Sequence, residues 1–184
     1  ITSHHNADFD SLSSMVAAKK IYPDALLVFP GSQEKTLRDF LIHSTIYVYD
    51  IAKIKNINYN EVDTLILVDT RQKSRIGELA KLVDNDKVKI HIYDHHPPSS
   101  DDIKGDLEII KNTGATATII IHILKEKGVP ISPEEATIMM LGLYEETGSF
   151  QYPSTTTQDF DAASFLLSKG ANVNLVADMM VKEL

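Results

Sequence analysis

Short apolar runs alternate with stretches of helical periodicity from one end of this chain to the other. Runs at 26–29, 46–49, 64–68 and 88–93 read as strands, with a truncated strand at 1–3 ahead of them. Spacing of helical period covers 11–22, 33–43, 76–83, 115–127, 133–144 and 156–168. Alternation of this kind predicts βαβ units: an α/β fold, Rossmann-like, whose mostly parallel sheet carries helices on both faces. The run at 64–68, Thr-Leu-Ile-Leu-Val, is almost continuously apolar, as expected of a central strand covered on both sides. Val88, Ile90 and Ile92 alternate with Lys89, His91 and Tyr93, which predicts a strand with one wetter face.

Helix punctuation supports the same boundaries. Ser132-Pro133-Glu134-Glu135 supplies a cap, a proline in the first position and a glutamate at the capping-box place. Thr155 with Gln158 predicts a second box, and Gly170 suits the end of that helix. The stretch 97–105 is the most loop-like, and the sequence contains no internal repeat and no low-complexity linker.

With 184 residues, 43% of them hydrophobic, the chain can bury a substantial core as one domain of ordinary size. It has no cysteine, which removes disulfides and thiolate metal sites and is compatible with a cytoplasmic protein. No apolar stretch approaches the ~20 residues that span a bilayer, so no membrane partner is expected. The chain begins at Ile1 rather than Met, so a few residues are expected upstream. Its 26 acids against 18 bases give a net charge of −8, and a polyanion would need a local basic patch.

That acidity is concentrated in an informative way. His4-His5-Asn6-Ala7-Asp8-Phe9-Asp10 follows the first short run, Asp69 closes the run at 64–68, and Asp94-His95-His96 closes the run at 88–93. Glu145 and Glu146 close the apolar segment at 133–144. Burying a carboxylate is costly unless a cation or hydrogen bonds offset it, and a metal is the simplest partner for four such places. Aspartate with histidine and no cysteine suits Mn²⁺, with Mg²⁺ as the harder substitute; ligand type alone leaves Zn²⁺ and Fe²⁺ open. Ligands of open α/β sheets gather outside the carboxyl ends of the strands, so side chains far apart in sequence are expected to converge on one rim.

These blocks resemble the DHH phosphoesterase superfamily, which includes RecJ-type exonucleases, nanoRNases and manganese pyrophosphatases. Asp94-His95-His96 matches the naming motif, His4-x-Asn6-Ala7-Asp8-x-Asp10 the first motif and Asp69 the second. Glu146-Thr147-Gly148 falls where the family usually has Asp-Thr-Gly. The stretches Val68 to Gly77, Gly114 to Ile119 and Thr147 to Thr156 are similar to the N-terminal DHH domain of bacterial tRNA nucleotidyltransferase/poly(A) polymerase-type proteins. The resemblance implies one DHH domain over 1–184, within a longer protein, with 177–184 beginning a linker helix.

It further implies a two-ion manganese site. His4 and Asp8 would bind one ion, Asp10 and His95 the other, Asp69 would bridge them, and Glu146 would hold the pair from the fourth side. The longer glutamate leaves Glu145 open as the alternative ligand. A shared carboxylate sets two ions about 3.5–4 Å apart, a geometry that activates water against phosphorus. Asp69 and His96 are thus the candidate catalytic residues. For His96, contact with the scissile phosphate or the leaving oxygen stands beside a plain hydrogen-bonding role. Arg71 and Arg75 follow Asp69, and their guanidinium groups could grip a phosphate, although a surface ion pair is the ordinary alternative for Arg71.

Gly114-Ala115-Thr116 opens a helix whose free amides could receive an anion. His5 reads as structural and Asn6 as orienting the turn or a ligand, while His43, His91 and His122 read as ordinary helix or strand residues. The function implied is hydrolysis of a small phosphodiester, nucleotide or short RNA. The alternatives are a pyrophosphatase and a weakly catalytic RNA- or nucleotide-binding module that regulates the larger protein.

Overall fold

The computed structural model describes residues 1–45, 47 and 49–181. In chain order these form α1 (Phe9–Ile21), β1 (Leu27–Val28), α2 (Lys35–His43), β2 (Ile51–Ala52), β3 (Thr64–Val68) and α3 (Ala80–Val83). There follow β4 (Lys89–Asp94), β5 (Leu107–Ile110), α4 (Thr116–Lys127), α5 (Pro133–Glu146), α6 (Thr157–Ser168) and α7 (Val173–Val181). Every strand pairing is parallel: β1 with β2, and β3 with β4 with β5.

The N-terminal residues join these two pieces. Thr2 bridges Leu67 in parallel, exchanging hydrogen bonds with Ile66 and Val68, while the Ile1 carbonyl accepts from the Val28 amide at 3.0 Å. The truncated first strand therefore lies at the centre, and one rim collects the carboxyl ends of all the strands. On one face, α1, α4, α5, α6 and α7 pack over Ile66, Val68 and Tyr93. On the other, Leu65, Leu67, Ile90 and Ile92 pack on Ile76, Leu79 and Leu82. Alternate residues of β3 thus enter opposite cores, which explains its unbroken apolar run.

Several boundaries depart from expectation. The strand expected at 46–49 has two residues, Ile46 and Val48, outside the described residues; β1 instead pairs with Ile51–Ala52. Tyr47 and Tyr49 pack against the core as rings, and the Tyr49 hydroxyl donates to the Glu135 carboxylate. The helix expected at 76–83 splits into a 3₁₀ turn, Gly77–Leu79, and the short α3. The wetter face expected of β4 holds at exposed Lys89 and half-buried His91, but Tyr93 is buried, and the Tyr22 hydroxyl meets His91 Nδ1 at 2.8 Å and the Tyr93 hydroxyl at 2.7 Å. The second capping box is one residue later, with Thr156 N and Oγ1 donating to Asp159 at 2.7 and 2.9 Å. Helix α7 starts before 177, and residues 182–184 of the expected linker helix lie outside the described residues.

Close packing of α1 on α5 sets the distance between two parts of the rim. Ser13 Oγ donates to the Ile138 carbonyl at 2.6 Å and accepts from the Gly142 amide at 3.0 Å. A Cβ on Gly142 would lie 2.5 Å from Ser13 Cβ, so the helices approach this closely only over glycine. One of these helices carries Asp10 and the other Glu146.

Candidate metal centre

Four chain segments bring acids and imidazoles to the rim. Asp8 caps α1, its Oδ1 accepting from the Ser11 amide at 2.9 Å, and Asp10 lies buried in the first turn. Asp69 follows β3 in a left-handed conformation with φ 62°, after its amide has extended the ladder to the Tyr93 carbonyl at 2.9 Å. Asn6 is left-handed too, at φ 52°, which gives it a role in the turn between His4 and Asp8. Glu146 is the last residue of α5, so the helix runs two residues beyond the expected end.

The resulting cluster contains three overlapping groups, each with ligand atoms within 4.8 Å of one another. One is His4, Asp8 and Asp69; a second is Asp10, His95 and Glu146; a third is Asp69, His95 and His96. All six residues expected to bind metal are therefore together, and Asp69 stands between the other groups. Glu145 is turned elsewhere, its Oε1 accepting from the Phe9 amide at 2.8 Å at the start of α1. The adjacent glutamates thus have separate partners, and it is Glu146 that faces His95, at 3.5 Å.

Both candidate imidazole ligands are oriented by backbone. His4 Nδ1 donates to the His5 carbonyl at 2.7 Å and His95 Nδ1 to the Thr113 carbonyl at 2.9 Å, so each turns Nε2 to the cluster. His4 Nε2 meets Asp69 Oδ2 at 3.1 Å and Ser11 Oγ at 2.9 Å. His95 Nε2 is buried and has no hydrogen-bond partner, although Glu146, Asp69 and Asp10 oxygens surround it at 3.5, 3.6 and 3.9 Å. An imidazole nitrogen without a well-formed hydrogen bond, ringed by carboxylates at 3.5–3.9 Å, fits a cation held among them.

Amides offset part of the acid charge. Asp10 accepts from the Thr116 and Ala117 amides at 2.9 and 3.0 Å, so the anion received by the start of α4 is a side chain of the site itself. Thr116 Oγ1 donates to Asp69 at 2.9 Å. The offset is incomplete. Burial, then repulsion from Asp69, pushes the Asp8 carboxyl up to about 6. The same two causes, with Glu146 and Asp8 added, raise Asp10 well above the ordinary carboxylate range. Burial opposes charge on His95, but Glu146 and Asp69 outweigh it and lift the imidazole to about 9. Asp69 moves the other way: burial resists its ionisation, yet the His4 hydrogen bond and the neighbouring imidazoles hold it below its usual value.

The other expected residues lie at the edge of the cluster or apart from it. His96 Nδ1 donates to Asp94 Oδ1 at 2.6 Å, and its ring is 42% exposed. Arg71, expected to grip a phosphate, is buried with its donors on protein oxygens: Asp102 from Nε, Asp94 from Nη1 and the His96 carbonyl from Nη2. Arg75 is half-buried, and its carbonyl accepts from the His5 amide at 2.9 Å. The His5 ring lies against Gly31 and Gly77. His91 and His122 are bonded to Tyr22 and the Gln158 carbonyl, and His43 ends α2, all apart from the cluster.

Sequence reasoning missed Ser11, Thr113 and Asp159. Asp159 is buried and accepts from the Gly114 amide, Thr118 Oγ1 and Thr156, which fixes the segment that supplies the Thr113 carbonyl and the Thr116 amide. Ser11 sits directly after the first motif and was findable; Thr156-x-x-Asp159 marks Asp159 as a helix cap, but nothing local marks its reach to Gly114 and Thr118.

The fold and the rim cluster define a class: a parallel α/β domain whose acids and imidazoles meet at the carboxyl ends of its strands. The sequence pattern of the DHH family, N-terminal domain, matches residues 1–143, and the chain belongs to that family. It is 47% identical over 184 residues to the A-adding tRNA nucleotidyltransferase of Geobacter sulfurreducens, covering 100% of this chain and 21% of that protein. It is 29% identical over 172 residues to the "Probable bifunctional oligoribonuclease and PAP phosphatase NrnA" of Streptococcus mutans, covering 91% of this chain and 51% of that protein. Identity is 28% over 184 residues with the "Probable manganese-dependent inorganic pyrophosphatase" of Brevibacillus brevis, covering 96% and 56%. Among solved structures, an exopolyphosphatase-related protein from Bacteroides fragilis superposes with a TM-score of 0.78 at 20% identity, over 97% of this chain and 54% of that one. The chain thus spans about a fifth of the nucleotidyltransferase and about half of the others. Among the described residues no helix is long and apolar enough to cross a membrane.

Proposed function

We propose that this chain is a two-metal phosphohydrolase domain acting on a small phosphodiester, nucleotide or short RNA, within a larger cytoplasmic protein of the A-adding tRNA nucleotidyltransferase type. The observation that carries the reading is His95 Nε2, buried without a partner and faced by Asp10, Asp69 and Glu146. His4, Asp8 and Asp69 would hold one ion and Asp10, His95 and Glu146 the other, with Asp69 shared. Mn²⁺ is the proposed metal, from the donor set and from the name of the pyrophosphatase relative; Mg²⁺ is the substitute. When bound, such ions polarise a phosphoryl oxygen and lower the pKa of water.

The chain's own residues supply the rest. Thr116, at the start of α4, fixes the Asp69 carboxylate with its hydroxyl and Asp10 with its amide. The Thr113 and His5 carbonyls fix the imidazoles. His96, half-exposed at the edge of the cluster, is the residue proposed to meet the phosphate. The name of the 47% identical relative, a tRNA nucleotidyltransferase, is the ground for a second reading, a weakly catalytic RNA- or nucleotide-binding module.

Mn²⁺-dependent hydrolysis of a short oligoribonucleotide and of pyrophosphate, by the protein in its natural length, tests the choice. The proposal expects phosphodiester cleavage that Asp69→Asn abolishes. Binding of the oligonucleotide without cleavage by the unmutated protein overturns it in favour of the second reading, and cleavage of pyrophosphate alone overturns the substrate assignment.

A further inference from the structure

Arg71 is the most fully engaged cation among the described residues, and none of its bonds reaches the six residues expected to bind metal. It leaves β3 two residues after Asp69 and ties that exit to the exit of β4. Its carbonyl accepts from the Ile103 amide at 2.7 Å, and Gln72 bridges Asp102. Its guanidinium meets Asp94 Oδ2 at 2.8 Å, Asp102 Oδ2 at 2.8 Å and the His96 carbonyl at 3.0 Å. Asp94 is the hinge of this arrangement, because its other oxygen, Oδ1, holds His96 Nδ1 at 2.6 Å. His96 is therefore gripped at two places, ring and main chain, and both grips lead back to one guanidinium.

We propose that Arg71 is a positioning residue that acts through His96, and not a phosphate ligand. The planar fork spans acceptors in fixed directions, so it sets the rotation of the Asp94 carboxylate and the path of the backbone at His96 together. With Nδ1 held by Asp94, Nε2 is the ring nitrogen left to meet an anionic ligand arriving from solvent. The guanidinium also neutralises Asp94, which explains how this carboxylate can lie beside His95 in sequence and stay out of the three ligand groups. The proposal rests on the hydrolase reading for its kinetic consequence but not for its geometry.

A double-mutant cycle with Arg71→Gln and His96→Gln separates the roles, using bis(p-nitrophenyl) phosphate with Mn²⁺ and the protein in its natural length. Arg71→Gln is expected to lower kcat by about 10–100-fold, as loss of an orienting partner does, with KM changed less than about threefold. The double variant is expected to be no slower than His96→Gln alone, because a residue acting only through His96 has nothing left to orient. Additive losses, or a KM that rises while kcat holds, overturn the proposal in favour of direct phosphate contact.

A second readout needs no turnover. The ¹⁵N and ¹H signals of the His96 imidazole, recorded with Mg²⁺, are expected to report an Nδ1–H bonded to carboxylate, and Arg71→Gln to shift or erase that signal. An unchanged signal in Arg71→Gln overturns the positioning role. If the unmutated protein hydrolyses nothing yet the signal responds as expected, the hydrolase reading fails and the Arg71–His96 coupling stands.

Discussion

At the scale of single residues, the most consequential distinction is between two adjacent glutamates. Neighbours on a helix point about 100° apart, so Glu145 reaches back to the Phe9 amide while Glu146 faces His95. Glu146→Ala is expected to weaken Mn²⁺ binding by at least about tenfold, with Glu146→Asp retaining most of it. Glu145→Ala should leave metal affinity nearly unchanged and instead cost about 0.5–2 kcal/mol of stability, typical for loss of a helix-start acceptor. Calorimetric metal titration beside thermal melting checks both; a reversed pattern would exchange their roles. The motifs made His4, Asp8, Asp10, Asp69 and His95 legible because each follows an apolar run that ends at the rim. The choice between Glu145 and Glu146 was not legible, since it depends on the rotation of α5 against α1.

Among secondary-structure elements, the site depends on how closely α1 and α5 approach. Gly142→Ala places a methyl group where Ser13 Cβ lies at 2.5 Å, so one helix must shift. Overpacking of this kind costs about 1–3 kcal/mol. Because α1 carries Asp10 and is capped by Asp8, and α5 carries Glu146, the same change is expected to weaken metal binding although residue 142 touches no ligand. Melting and metal titration on Gly142→Ala test this; lowered stability with wild-type affinity would show that the helices are not coupled to the site. Helices with strong caps, such as α5, were readable, as was the buried β3. The edge strand β5, Leu107–Ile110, was not, because it is short and largely exposed and so lacks the apolar signature of its neighbours. Asp159 was equally hidden, since its importance comes from packing α6 against the segment before α4.

For the molecule as a whole, the cluster couples pH, metal and stability. Asp8 is raised from 3.8 to about 6 and His95 from 6.5 to about 9. A group whose folded pKa lies above its unfolded value stabilises the fold fully below the unfolded value and loses that contribution as pH rises through the folded one. The cluster's contribution to the stability of the metal-free protein is therefore expected to fall from about pH 4 to pH 9, Asp8 acting in the lower part of that window and His95 in the upper. Cations oppose this, and two divalent ions would bring the net charge from −8 to about −4. Mn²⁺ at one hundred times its dissociation constant contributes about 2.7 kcal/mol, or roughly 5–10 °C in a domain of this size. Metal should bind more tightly as pH rises and should release protons. Melting curves across pH with and without Mn²⁺ check this, and a pH-independent melting temperature would contradict it.

Anomalous diffraction from crystals grown with Mn²⁺ tests the two-ion reading most directly. Two peaks that share Asp69 are expected, one among His4, Asp8 and Asp69 and the other among Asp10, His95 and Glu146. A cluster without anomalous density at saturating Mn²⁺, or a single ion away from His95, would contradict it.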